Sequence, residues 1–272
     1  MTLLRVAFVG KGGVGKSAVA GTFARALARH GGPVLALDSD PMPGLAFSLG
    51  IDRTDVGIPD DAVRPRAEGE KGPRFRLRDG LTAADAIEAY AALGPDGVRF
   101  LQFAKLGGRL RDTFRSQVAF RQILEELPQD RWAVVGDLPG GMRQPFFGWG
   151  DFAHTIFIVV EPTVKSMRAG HRLARLALTE NPPAVIAVVA NKVREDADIA
   201  RVEAATGLPV VAGIPWDEAL ADAEKAGLAP IDAAPDSPSV RAVGGRSPAA
   251  VGDLTVEASG QLLQGVVRGF EG

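Results

Sequence analysis

The sequence predicts an α/β domain, a mostly parallel β-sheet with helices on both faces. Three observations carry that expectation. Short apolar, β-rich runs alternate with longer segments of helical spacing. The runs lack strict apolar–polar alternation, as strands buried on both sides do. A glycine-rich loop joins the first run to the first helical segment, the strand–loop–helix order in which phosphate is bound. At 272 residues, 46% hydrophobic and 24% charged, the chain suits one such domain with a full core over residues 1–272.

The first strand is expected over Leu4–Val9, broken only by Arg5, and the first helix over Ala18–Ala28. Between them lies Gly10-Lys11-Gly12-Gly13-Val14-Gly15-Lys16-Ser17, which satisfies G-x-x-x-x-G-K-[ST]. The glycines let backbone N–H groups close around phosphate oxygens, and the helix start adds partial positive charge. Lys16 reaches the β- and γ-phosphates, and the Ser17 hydroxyl ligates magnesium. Residues Gly10 to Ala18 are therefore the expected triphosphate-binding residues.

Further buried strands are expected at Val34–Leu37, Val98–Phe103, Trp132–Val135, Thr155–Val160, Ala184–Ala190 and Val210–Ile214. Val164–Leu178 and Ile199–Ala205 carry helical spacing, with Gly207 as a C-terminal stop. Asp52–Asp79 breaks the rhythm with glycines and prolines among many charges, and reads as a surface insertion. A turn-rich stretch, Pro230–Gly252, leads to a final helix over about Leu254–Gly265.

Three strand ends and one turn carry further chemistry. Asp38-Ser39-Asp40-Pro41 closes the second strand, at the sheet edge where ligands bind. A carboxylate there can accept hydrogen bonds from a water held in line with the γ-phosphate. Asp137-Leu138-Pro139-Gly140-Gly141 follows the run Ala133–Val135, a carboxylate placed to hold magnesium directly or through water. Asn191-Lys192 ends the strand before residue 191. An Asn amide can both donate to and accept from an adenine edge, and a lysine stem can pack on the ring. Val193 and Arg194 follow where a guanine-reading N-K-x-D pattern needs an Asp, which favours ATP over GTP. Ile214-Pro215-Trp216-Asp217 is either a segment closing over the base or a turn whose Asp217 caps the next helix.

Lys11, directly after the first glycine, is not needed to cradle the phosphates of its own subunit. The string KGGVGKS resembles the deviant phosphate loop of the family that holds the MinD and ParA positioning ATPases, the nitrogenase iron protein, the arsenite-pump ATPase and the carbon monoxide dehydrogenase nickel-insertion ATPases. The resemblance implies a three-layer α/β/α fold and a homodimer sandwiching two ATP, with Lys11 contacting the partner's nucleotide. It implies catalytic roles for Lys11, Lys16 and Asp40, with Asp40 positioning the attacking water. Asp38 lies behind magnesium or the loop lysine, or caps the next turn. Asp137, Gly140 and Gly141 form the second switch, and Ser17, Asp38, Asp40 and Asp137 surround Mg2+. Asn191, Lys192, Pro215 and Asp217 take the base.

Val159 to Ser166, Asn191-Lys192-Val193 and Gly213 to Ala219 are similar to segments of the nickel-insertion ATPases. That implies an ATP-hydrolysing switch for a protein client, with maturation or activation of a metalloenzyme as the leading role. The alternative is a positioning ATPase acting on the nucleoid or a membrane surface. Those nickel-insertion ATPases usually carry a Cys-x-Cys pair, and Arg109–Gln122 holds no cysteine.

Composition narrows the field. Cysteine is absent, which excludes disulfides, thiolate metal sites and cysteine-ligated clusters. His30, His154 and His171 lack ligand spacing. A net charge of −2 gives no global attraction to nucleic acid or anionic lipid. No stretch is long and apolar enough for a membrane span, and the chain enters a strand at once without a signal pattern, so a cytoplasmic protein is expected. Arg109, Arg111, Arg115 and Arg121, interleaved with Phe114 and Phe120, are either a docking patch or the solvated face of a helix. The aromatic loop Gln144–Phe152 is either a switch-linked surface or buried against the sheet.

Overall fold

The computed structural model describes residues 3–40, 44–52, 57–102, 110–141, 148–179 and 183–244, with backbone alone for residues 110–113 and 179. The chain opens with β1 (Arg5–Gly10), α1 (Lys16–Arg29), β2 (Val34–Asp38) and the short α2 (Leu45–Leu49). Then come β3 (Val63–Pro65), β4 (Phe75–Leu77), α3 (Ala83–Tyr90), β5 (Ala92–Leu93), β6 (Arg99–Gln102), α4 (Leu110–Glu125) and β7 (Ala133–Asp137). The second half runs β8 (Thr155–Val160), α5 (Val164–Thr179), β9 (Val185–Val193), α6 (Asp196–Thr206) and β10 (Val210–Pro215). Three short helices follow, α7 (Glu218–Lys225), α8 (Pro230–Ala233) and α9 (Pro238–Gly244).

Eight strands form one sheet in the order β10-β9-β8-β1-β7-β2-β6-β5, parallel throughout except for the β5–β6 pair. Alternate residues of each strand feed two cores. Val6, Phe8, Ala36 and Val135 pack under α1 and α2, while Ala7, Val9, Leu35 and Val134 pack under α3, α4 and α5. That two-sided burial is why the strands read as continuous apolar runs. The expected α/β fold is the observed one.

The stretch 52–79 departs from its reading as a surface insertion. Ile58, Ala62, Val63 and Leu77 are buried, and β3 pairs antiparallel with β4 beneath α4. Gln122 on α4 accepts from the Leu77 N–H at 2.8 Å, and Arg115 donates to the Val63 carbonyl at 2.7 Å. The expected helix at 254–265 lies outside the described residues.

The fold gathers the C-terminal ends of seven parallel strands along one edge. β1 lies between β8 and β7, so Gly10 pairs with Val159 and Phe8 with Asp137. Asp38 ends β2 in register with Asp137. β1 leads into α1 across one face and its neighbours lead away on the other, so the crevice opens above Gly10.

Candidate functional site

The phosphate loop is shaped by its glycines and by side chains from two neighbouring strands. Gly15 holds φ 83, where a Cβ would also sit 2.5 Å from Asn191 Nδ2, so only glycine fits. Asn191, 2% exposed, donates Nδ2 to the Val14 carbonyl at 2.7 Å. Because a trans peptide points its C=O and N–H in opposite directions, that bond turns the Gly15 N–H to the other side of the loop. Lys192 donates to the Gly13 carbonyl at 3.1 Å and pairs with Glu161 at 2.5 Å. It does so from φ 60, a left-handed conformation uncommon for lysine.

Beneath the loop, Lys16 Nζ donates to Asp137 Oδ1, and Ser17 Oγ donates to Asp137 Oδ2 at 2.5 Å. Asp137 is fully buried, and that burial raises its carboxyl above the ordinary value against the pull of Lys16 and Ser17. Asp38, also fully buried, accepts from the backbone N–H groups of Asp40 at 3.0 Å, Gly44 at 3.1 Å and Leu45 at 3.0 Å. Burial, with the Asp137 charge beside it, pushes Asp38 up to about 7. The Asp38 side chain thus ties the two ends of the loop that carries Asp40. Ser39 binds the Asp137 carbonyl through both its N–H (3.0 Å) and its hydroxyl (3.1 Å), locking the two strand ends together.

A cavity of about 690 Å³ opens over this cluster, within the range of small-ligand sites. One wall is the loop and helix start, Lys11, Gly12, Gly13, Gly15, Lys16, Ser17 and Ala18. Asp40 and Gly140 face it from the segments that follow β2 and β7. A Cβ on Gly140 would lie 3.2 Å from Gly12 N, so the second segment rests directly on the first.

The remaining wall was not foreseen. It consists of Gly44, Phe47 and Ser48 from the start of α2, and Glu224, Lys225, Gly227 and Leu228 from the end of α7. Phe47 and Leu228 are about half exposed there. No motif marks these positions, because the wall forms only when α8 and α9 pack on α1 and bring the end of α7, which packs on α8, back to the loop.

The other expected residues have these places. Gly10 and Val14 lie under the loop, both buried or nearly so. Gly141 is exposed beside Gly140. Asn191 and Lys192 engage loop carbonyls and are not in the cavity wall. Asp217 caps α7 by accepting from Ala219 N–H at 3.1 Å and also accepts from Ser239 N–H at 3.3 Å. The Pro215 carbonyl accepts from the Ser239 hydroxyl at 2.9 Å.

In the basic segment, Arg109 and the Arg111 side chain lie outside the described residues. Arg115 stacks on Phe75, Arg121 pairs with Glu125, and Phe120 is buried. Of the aromatic loop, residues 144–147 lie outside the described residues, Trp149 packs beside Phe120, and Phe152 is buried against Gly136.

The oxygen donors of Ser17 and Asp137, side by side at the phosphate cradle, fit a magnesium ion, which takes hard oxygen ligands and completes its shell with phosphate and water. Among the described residues, no group of three His, Asp or Glu is placed to hold a metal without such help.

Comparison with known proteins agrees with this geometry. The chain is 27% identical over 243 residues to the carbon monoxide dehydrogenase accessory protein CooC of Rhodospirillum rubrum, covering 85% of this chain and 91% of that protein. It is 28% identical over 233 residues to an uncharacterized ATP-binding protein of Methanocaldococcus jannaschii, covering 81% and 88%. In fold it matches the septum site-determining protein MinD of Pyrococcus horikoshii, solved with Mg-ADP, at a TM-score of 0.66 and 21% identity over 89% of this chain and 93% of that one. The model of the CobQ/CobB/MinD/ParA nucleotide binding domain matches residues 6–241, and the chain belongs to that family.

Proposed function

We propose that this protein is a magnesium-dependent ATPase that closes as a homodimer around ATP and acts as a switch on a protein client. The observation that carries the reading is the convergence of Lys11, Lys16, Ser17, Asp40 and Gly140 on one cavity, with Asp137 buried directly behind it. In this reading Lys16 leaves Asp137 for the β- and γ-phosphates, and the N–H groups of the glycine loop hold the remaining phosphate oxygens. Magnesium, held by Ser17 and Asp137, neutralises charge that develops on the phosphates. Asp40 accepts a hydrogen bond from the attacking water. As that water's oxygen bonds to the γ-phosphorus, the bond to the β–γ bridging oxygen breaks, leaving ADP and phosphate. Lys11 adds positive charge to the partner subunit's nucleotide.

Similarity to a carbon monoxide dehydrogenase accessory protein supports a metalloenzyme as the client. The test is phosphate release by the purified chain with Mg-ATP, beside Lys16→Ala and Asp40→Ala. Release from the wild type, lost in both variants by on the order of a hundredfold or more, is the expected result. Equal release from all three refutes the mechanism. Asp40→Ala loaded with Mg-ATP then serves as bait in the native host, with Lys16→Ala as the control. A metalloenzyme subunit retained only by Asp40→Ala supports the maturation role; DNA-segregation or membrane-site partners support positioning instead.

A further inference from the structure

One face of α5 is strongly cationic and lies outside the nucleotide cavity. Lys165, Arg168, Arg172 and Arg175 are all exposed, and no acidic residue occurs anywhere in α5. At 3.6 residues per turn the four fall within an arc of about 80° and span about 15 Å along the axis. Among the described residues, Lys165, Arg168 and Arg172 make no ion pair. Exposed arginines such as Arg66, Arg78 and Arg241 also make no ion pair among the described residues, but they stand singly on other elements, whereas those of α5 share one helix face. Three like charges, Lys165, Arg168 and Arg172, set along one helix face without counterions raise the energy of the isolated protein, a cost that an acidic partner removes.

We propose that this face of α5 docks a protein partner presenting an acidic helix, with carboxylates at the spacing of three and four residues that matches Lys165, Arg168 and Arg172. Two features favour a protein over a nucleic acid or a membrane. The neighbouring α6, packed against α5, exposes Glu195, Asp196 and Glu203. A broad polyanion laid over α5 meets those carboxylates, whereas a single helix fits on the cationic stripe alone. Val164, 61% exposed at the start of α5, adds an apolar contact that phosphate does not use.

The surface is also joined to the phosphate loop. Glu161, three residues before α5, holds Lys192, and Lys192 holds the Gly13 carbonyl. The Glu161 N–H is in turn bound by Ser166 Oγ in the first turn of α5, at 2.9 Å. The surface stands whether or not the chain hydrolyses ATP.

The test is fluorescence anisotropy with the full chain and three labelled probes. They are an alanine-rich peptide of about 18 residues carrying glutamates at that spacing, a DNA duplex of about 20 base pairs, and vesicles of about 30% phosphatidylserine in phosphatidylcholine. The variants are R168E/R172E and the charge-keeping R168K/R172K. The expected result is salt-sensitive peptide binding that weakens at least about tenfold in the glutamate variant and persists in the lysine variant. Failure of the wild type to bind the peptide, or equal binding by wild type and R168E/R172E, overturns the proposal. So does tighter binding to duplex or vesicles that the glutamate variant loses. Self-association in low salt that R168E/R172E abolishes also overturns it, because the occupant is then a second copy of the chain.

Discussion

Removing the buried guanidinium of Arg25 tests how the wall of the nucleotide cavity is held. Arg25 on α1 is 2% exposed and makes four hydrogen bonds. It donates to Asp96 at 2.5 Å, to the Leu49 carbonyl at 2.8 Å, and to the two oxygens of Asp232 at 2.8 and 2.9 Å. Asp232 lies on α8, four residues beyond the Leu228 that lines the cavity. Arg25→Met keeps most of the stem and its packing but leaves the Leu49 carbonyl without its donor and the two carboxylates to Arg29 alone, which donates to Asp96 at 2.8 Å and to Asp232 at 3.1 Å.

Breaking a buried ion pair costs about 3–5 kcal/mol. Asp96 and Asp232 side chains are 24% and 46% exposed, so water recovers part of that loss. A destabilisation of about 2–4 kcal/mol remains, including about 1 kcal/mol for the Leu49 carbonyl. Asp232→Asn alone costs less, about 1 kcal/mol, since Arg25 keeps Asp96 and the new amide is half hydrated. The double variant is expected close to Arg25→Met, because the second change then weakens only the half-exposed Arg29–Asp232 pair, worth little. Urea unfolding of the four proteins measures this. A loss below about 1 kcal/mol for Arg25→Met, or strict additivity in the double variant, refutes the reasoning.

Two further outcomes follow from the site. Asp38 keeps its proton up to about 7 in the fold, whereas a carboxyl in the unfolded chain releases it near 4. Between those values the native state binds more protons, so stability falls as pH rises through that window, and the full cost is present above about 7. The slope contributed by Asp38 is at most about 1.4 kcal/mol per pH unit. Asp38→Asn is expected to flatten the wild-type fall when stability is measured at several pH values from about 4.5 to 7; an unchanged slope rules the assignment out. Asn191→Ala is expected to weaken ATP and inorganic triphosphate alike, by about tenfold, because Asn191 acts on the loop. Calorimetric titration of both ligands decides it, since loss confined to ATP returns Asn191 to the base.

The fold was legible because the strands are buried on both faces. Seven of the eight strands of the sheet appear as apolar runs within a few residues of their observed ends, and among them Thr155–Val160 matches at both ends. The phosphate loop was legible because its chemistry lies in eight consecutive residues. What escaped depends on distant partners. Arg25 meets Asp96 and Asp232 across 71 and 207 residues of sequence. The Glu224–Leu228 wall is brought to the loop by the packing of α8 and α9 on α1, which no local pattern encodes. The β3–β4 hairpin was hidden because its few buried residues, such as Val63 and Leu77, are scattered among arginines and glycines. At Asn191 and Lys192 residue type pointed to the right neighbourhood, while the carbonyls they bind became visible only in three dimensions.

The central claim is that ATP closes two copies of this chain through Lys11. Sedimentation velocity of Asp40→Ala with Mg-ATP, with Mg-ADP and without nucleotide measures it directly, beside Lys11→Ala/Asp40→Ala. A dimer is expected for Asp40→Ala with Mg-ATP alone, and a monomer for the double variant under every condition. A monomer for Asp40→Ala saturated with Mg-ATP, or a dimer that forms equally well without Lys11, contradicts it.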